Sequence, residues 1–223
     1  MADDEPSIPV HTGIITDYHP DTVKGTSPAT TTTQRTLEPF YEDLGKILDA
    51  EKQIKNKLDL AKHAKPLFDK IGSRLTDAIG RLDLQRDTAA KALHAKLTEG
   101  KNAPQAAEIR AHFKNNSKSP LTELTMIIRS GDGKPTAAIL GAPPFLSGLT
   151  DEQAKTLREL AEQKLEPDLQ THVREAEANI GKLMRAQQYV GEMREKKMRA
   201  WTKESDDAAI ALLTAPRKKK EDA

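Results

Sequence analysis

Six histidines are the first residues that could do chemistry: His11, His19, His63, His94, His112 and His172. A paired metal site on one helix face needs two of them three or four residues apart, and no pair in this set has that spacing. Asp17-Tyr18-His19-Pro20-Asp21 gathers three ligand-type side chains, but nothing in a proline-broken segment holds them in one geometry, so no metal ligand is assigned. Gly131-Asp132-Gly133-Lys134 faintly resembles a phosphate loop. Such a loop needs a glycine five residues before its second glycine and a hydroxyl after the lysine. Ile128 and Pro135 occupy those positions, and the four residues read as a turn.

Carboxylates are abundant, but Glu159, Glu162, Glu166, Glu175 and Glu177 lie among lysines and arginines on polar helix faces. General acid or base work needs a shielded group with a shifted pKa, and surface pairing at i to i+4 accounts for these. No Gly-x-Ser-x-Gly elbow occurs. With cysteine absent, thiolate zinc sites, disulfides and cysteine nucleophiles are excluded. No catalytic residue and no cofactor is assigned, and the chain reads as a non-enzyme.

The basic C-terminal region has a stronger claim. Arg194, Lys196, Lys197, Arg199 and Lys203 surround Met193, Met198 and Trp201, and Arg217–Lys220 adds four charges. A cationic helix end can contact phosphate, a membrane surface or an acidic partner. The same charges also stabilise a helix C-terminus, and seven acids interleave with these nine bases. Arg194, Lys197, Arg199 and Trp201 are the candidate contact residues here.

These residues are positioned by elements that read as helical throughout. The chain has 223 residues, 35 basic against 34 acidic side chains, and 4% aromatics. Its 36% hydrophobic share argues against a thick core. No stretch approaches the ~20 apolar residues of a membrane span, and the acidic start, Met-Ala-Asp-Asp-Glu, lacks the pattern of a secretory signal.

Residues 1–36 carry four prolines, the run Thr30-Thr31-Thr32-Thr33 and five acids against two bases. Proline removes backbone donors and threonine is a poor helix former, so this stretch is expected to be an extended arm, with a disordered leader as the alternative. Thr30, Thr31 and Thr32 are candidate contacts to a neighbouring subunit. From 37 to 99 an apolar stripe at helical spacing (Leu37, Tyr41, Leu44, Leu48, Ile54, Leu58, then Phe68 to Leu97) predicts a long helical region broken near Pro66. Residues 100–149 read as a small helical head, with helices opening at Asn102-Ala103-Pro104-Gln105 and Ser119-Pro120 and ending in the corner Ala142-Pro143-Pro144. Thr150-Asp151-Glu152-Gln153 is a complete capping box. It opens a return helix over 150–201, bent early by Pro167, for which about fifty residues give a rod of roughly 75 Å. Residues 202–223 form a charged tail. The simplest topology burying both stripes is an elongated antiparallel helical hairpin or coiled coil with a head at its tip, and a compact bundle is the alternative.

The segment from Ala137 to Thr150, with Pro143-Pro144-Phe145 followed by Leu146-Ser147-Gly148-Leu149, resembles one seen in helical proteins of uncertain role encoded by tailed bacteriophages and prophages. The similarity covers about residues 137–166 and carries no catalytic residue across. It implies a virion or assembly protein, found in the particle or the host cytoplasm. The expectation is therefore an all-α structural protein that packs against other subunits, as a homo-oligomer or within a larger assembly. Pro143, Pro144 and Phe145 would fix the head against the rod. A cellular coiled-coil adaptor, binding a partner helix or nucleic acid through its basic end, is the alternative.

Overall fold

The computed structural model describes residues 8–214, with side chains as far as Lys203. The protein is all-α: seven α-helices and three short 3-10 turns, with no strand among the described residues. The helices are α1 (Pro28–Gln53), α2 (Lys57–Leu97), α3 (Ala106–Asn116), α4 (Pro120–Ser130), α5 (Gly133–Leu140), α6 (Asp151–Leu165) and α7 (Pro167–Thr214). The chain divides into two compact units. Among the described residues, the first comprises 8–26, 30–82 and 178–214, and the second 27–29 and 83–177.

In the first unit the apolar stripes are buried as their spacing requires. Leu37, Phe40, Tyr41, Leu44 and Ile47 of α1 are buried, as are Phe68, Ile71, Leu75 and Ala78 of α2, and Leu183, Ala186 and Val190 of α7. Polar contacts tie the three segments together. Arg74 donates to Asp43 at 3.0 Å, Gln187 to Thr76 at 2.7 Å, and Arg194 pairs with Asp69 at 2.7 Å. The last two pairings put higher numbers of α7 beside lower numbers of α2, so the two segments run antiparallel within this unit.

The expected extended arm over 1–36 is corrected. Pro28 begins α1, where a proline at the first position loses no helical hydrogen bond, so Thr30, Thr31 and Thr32 are helical. Residues 8–27 do not reach away from the chain: Ile14, Tyr18 and Val23 are buried. The Tyr18 ring stands edge-on to Phe40 at 6.1 Å and lies 5.3 Å from Tyr189. His19 is buried too, with Nε2 2.6 Å from the Ile8 carbonyl and Nδ1 accepting the Asp21 N–H. Composition misled because prolines at helix starts and in 3-10 turns are compatible with a folded segment. Residues 1–7 of the expected arm lie outside the described residues.

The helical break is not at Pro66, which lies inside α2. Pro66 is exposed, so water can hydrate the carbonyl its missing N–H leaves free. The break falls at residues 54–56 instead. There the Asn56 side chain accepts the N–H groups of Leu58 and Asp59 at 3.1 and 3.3 Å and donates to Asp59 at 2.6 Å, capping α2.

The second unit is larger than the expected head at 100–149, because its core needs walls from both flanks. Leu93 and Leu97 of α2, with Leu157 and Ala161 of α6, close over Phe113, Leu124, Ile128, Ile139 and Leu140. Short α5 is buried along Thr136–Leu140, as a centrally placed, largely apolar helix should be. Helix α3 starts at Ala106 with Gln105 as its N-cap, not at Asn102 as expected. Ser119-Pro120 opens α4, and the Thr150–Gln153 capping box is complete, at 3.2 and 2.9 Å.

The single return helix expected over 150–201 is two helices. Glu166 leaves helical geometry between them, and Pro167 restarts the chain as the first residue of α7. That helix runs on to Thr214, into the expected tail. Residues 215–223, including Arg217–Lys220, lie outside the described residues.

Candidate contact surface

The corner between α5 and α6 presents apolar side chains outward from a braced backbone. Gly141 ends α5, and Pro143 and Pro144 lead into a 3-10 turn over Pro144–Ser147. Leu146 N–H donates to the Pro143 carbonyl at 3.1 Å and Leu149 N–H to the Pro144 carbonyl at 3.2 Å. Gly148 takes φ 71°, a left-handed conformation that costs glycine little. Ser147 and Leu149 are buried, so the turn is anchored from below. Phe145 is 64% exposed and Leu146 36%. Pro143 is exposed and Pro144 half-buried. The expectation that Phe145 fixes a head against a rod is corrected: its ring faces solvent.

Beneath the corner, two arginines serve the C-terminal end of α5. Arg110 of α3 donates to the Ala138 carbonyl at 2.9 Å, and Arg158 of α6 to the Leu140 carbonyl at 3.2 Å. Both satisfy carbonyls that a helix end leaves without intrahelical donors, where positive charge is also favoured.

The other proposed contacts are arranged differently. Thr30 is buried, Thr32 half-buried and Thr31 exposed, so the three threonines present no continuous outer face. At the basic end, Trp201 is 1% exposed. Its indole N–H donates to Glu51 Oε1 at 3.0 Å, while Lys197 Nζ donates to Glu51 Oε2 at 2.6 Å. Burial disfavours charge on Glu51, yet hydrogen bonds from Lys197 and Trp201 and the charges of Lys197 and Lys57 hold its carboxyl below the usual range. Arg194 is spent on Asp69. Of the four basic-end candidates, only Arg199 is exposed. Sequence reasoning missed Glu51 and Asp69 because their partners lie more than a hundred residues away.

Gly131-Asp132-Gly133-Lys134 is a helix-to-helix turn. Gly131 closes α4 in the left-handed conformation and Asp132 caps α5 through the Lys134 N–H. Glu162 departs from the expectation of unshielded carboxylates, since burial pushes it above the ordinary value, and Glu175 accepts the Ser27 N–H at 3.1 Å. Among the described residues, no three His, Asp or Glu side chains form a metal-holding group, and no helix is long and apolar enough to cross a membrane. No protein-family model, no curated protein and no solved structure matches the chain.

Proposed function

We propose that this is a non-enzymatic structural or assembly protein that works by packing against other protein subunits, in the setting of a tailed-bacteriophage particle. The observation that carries this reading is the exposed Phe145–Leu146 pair on a corner fixed by two prolines, a 3-10 turn and buried Ser147 and Leu149. Two adjacent apolar side chains on a backbone braced in this way lose little main-chain freedom when a partner covers them. The phage setting is supported by the resemblance over about residues 137–166, which includes this corner. The nucleic-acid alternative loses ground, because Arg194, Lys197 and Trp201 are engaged within the chain.

Mass spectrometry of purified particles, with the chain carried as wild type or as Phe145→Glu, tests the reading. The wild-type chain is expected in particles or assembly intermediates, and the variant is expected to be depleted from them at unchanged thermal stability. Incorporation of the variant at wild-type levels would remove Phe145 as the contact. Absence of the wild-type chain from both particles and intermediates would remove the phage setting.

A further inference from the structure

A cleft of about 240 Å³ in the first unit is lined by Arg35, Thr36 and Pro39 of α1 and by Arg74, Asp77 and Arg81 of α2. Arg74 and Arg81 are two helical turns apart on one face of α2, with Asp77 between them. Arg74 is held in place by its 3.0 Å bond to Asp43, whose side chain is only 10% exposed. Arg35 and Arg81 are exposed, and neither is in an ion pair with any other described residue. Asp77 is likewise unpaired among the described residues. Guanidinium groups from two helices therefore face one small cleft, and two of the three have donors to spare.

We propose that this cleft binds a phosphate group that still carries a proton near neutral pH, as inorganic phosphate or a phosphomonoester. Each guanidinium presents a planar fork of N–H donors that matches phosphate oxygens, and forks arriving from two helices suit a tetrahedral anion better than a planar carboxylate. The volume accommodates one phosphate and lies below the ~300 Å³ at which sites for larger ligands begin. Asp77 sets the selectivity. An ionised carboxylate among the arginines only accepts hydrogen bonds, so it welcomes a P–OH and repels an anion without a proton. A phosphomonoester has its second pKa at ≈ 6 and retains that proton in part. Sulfate and the phosphodiesters of nucleic acid do not.

Calorimetric titration of the full chain at about pH 6 and fixed ionic strength tests the site, since about half of a phosphomonoester is then protonated. The probes are inorganic phosphate, glycerol 2-phosphate, sulfate and a short single-stranded oligonucleotide. Phosphate is expected to bind at least about tenfold more tightly than sulfate. Glycerol 2-phosphate binding alongside it identifies a monoester site, and its failure to bind identifies a site for the free ion. Arg81→Gln is expected to weaken phosphate about tenfold or more at an unchanged melting temperature, and Asp77→Asn to raise sulfate to the level of phosphate. Equal affinity for sulfate and phosphate in the wild type, or phosphate affinity untouched by both Arg35→Gln and Arg81→Gln, would overturn the proposal. Tighter binding of the oligonucleotide than of phosphate would overturn it in favour of a nucleic-acid backbone.

Discussion

Trp201 donates its indole N–H to Glu51 across 150 positions of sequence, at 3.0 Å. The largest aromatic of the chain is thereby buried at the end of α1, and the basic residue one turn before it, Lys197, is bound to the same carboxylate. Replacing Trp201 by Phe keeps most of the apolar contact and removes one hydrogen bond to a charged acceptor. The expected cost is about 2 kcal/mol of unfolding free energy, read from chemical denaturation. A change within about 0.5 kcal/mol, the range of an ordinary surface substitution, would show that the bond contributes nothing net.

The same carboxylate predicts how stability depends on pH. Glu51 has a folded pKa below its ordinary 4.5, despite burial, because Lys197 and Trp201 bond its charged form. Below 4.5 the unfolded chain therefore binds a proton more readily than the folded one. The Glu51 contribution is complete above 4.5 and is lost as pH falls through the folded value. Glu51→Gln keeps an acceptor for Trp201 but cannot titrate. The stability difference between wild type and this variant should shrink on acidification below 4.5, and a difference independent of pH would contradict the assignment.

Residues 8–23 form a strap held on α1 by rings and by polar contacts at its two ends, the later end through Gln34, which donates to the Val23 carbonyl at 3.1 Å. His11 N–H donates to Tyr41 at 2.8 Å, and the His11 ring meets Asp49 at 3.1 Å. Hydrogen bonds from Lys52 and His11 lower the Asp49 carboxyl below its ordinary 3.8, so the charged His11–Asp49 contact outlasts 3.8 and is lost only as pH falls through the lower folded value. Tyr18 is the apolar anchor. Tyr18→Ala is expected to speed amide exchange over 14–23 by roughly thirtyfold, corresponding to about 2 kcal/mol of lost burial, with α2 unaffected. Exchange unchanged in that segment would mean that Tyr18 does not anchor the strap.

What could be read from the sequence was local. The Thr150–Gln153 box is legible because cap, partner and helix fall within four residues, and the helical period exposes the stripes of α1 and α2. Pro66 was over-weighted, since a mid-helix proline on a solvent face bends a helix without ending it, while Asn56 with Asp59 carried the true start signal. Trp201 reads as a contact residue among bases because Glu51, which accepts its indole N–H, lies on another helix. The Arg35–Arg74–Arg81 cleft escaped notice for the same reason: Arg74, Asp77 and Arg81 share a helical spacing, but spacing alone does not bring Arg35 of α1 beside them. The Pro143–Phe145 corner was legible as a corner, but the direction of the Phe145 ring was not.

Gly141 decides whether that corner can form. A Cβ added there would lie 2.5 Å from Lys101 Cβ and 2.7 Å from the Ala137 carbonyl oxygen. Both atoms are fixed by backbone: Ala137 O accepts the Gly141 N–H, and Lys101 O accepts from Arg110, which also caps α5. The Gly141 φ of −85° suits alanine, so any penalty is steric. Gly141→Ala is expected to destabilise the chain by about 1–3 kcal/mol through overpacking. Gly80→Ala serves as the control. It is helical with nothing within 4 Å of its added Cβ, and there alanine should stabilise by about 0.5–1 kcal/mol. A clash at 141 would also displace the chain entering Pro143, so the partner binding proposed for Phe145 should weaken in the folded fraction as well as by unfolding. Binding measured per folded molecule separates the two. An undiminished value would mean that the corner tolerates movement at its base, and that its prolines alone hold Phe145.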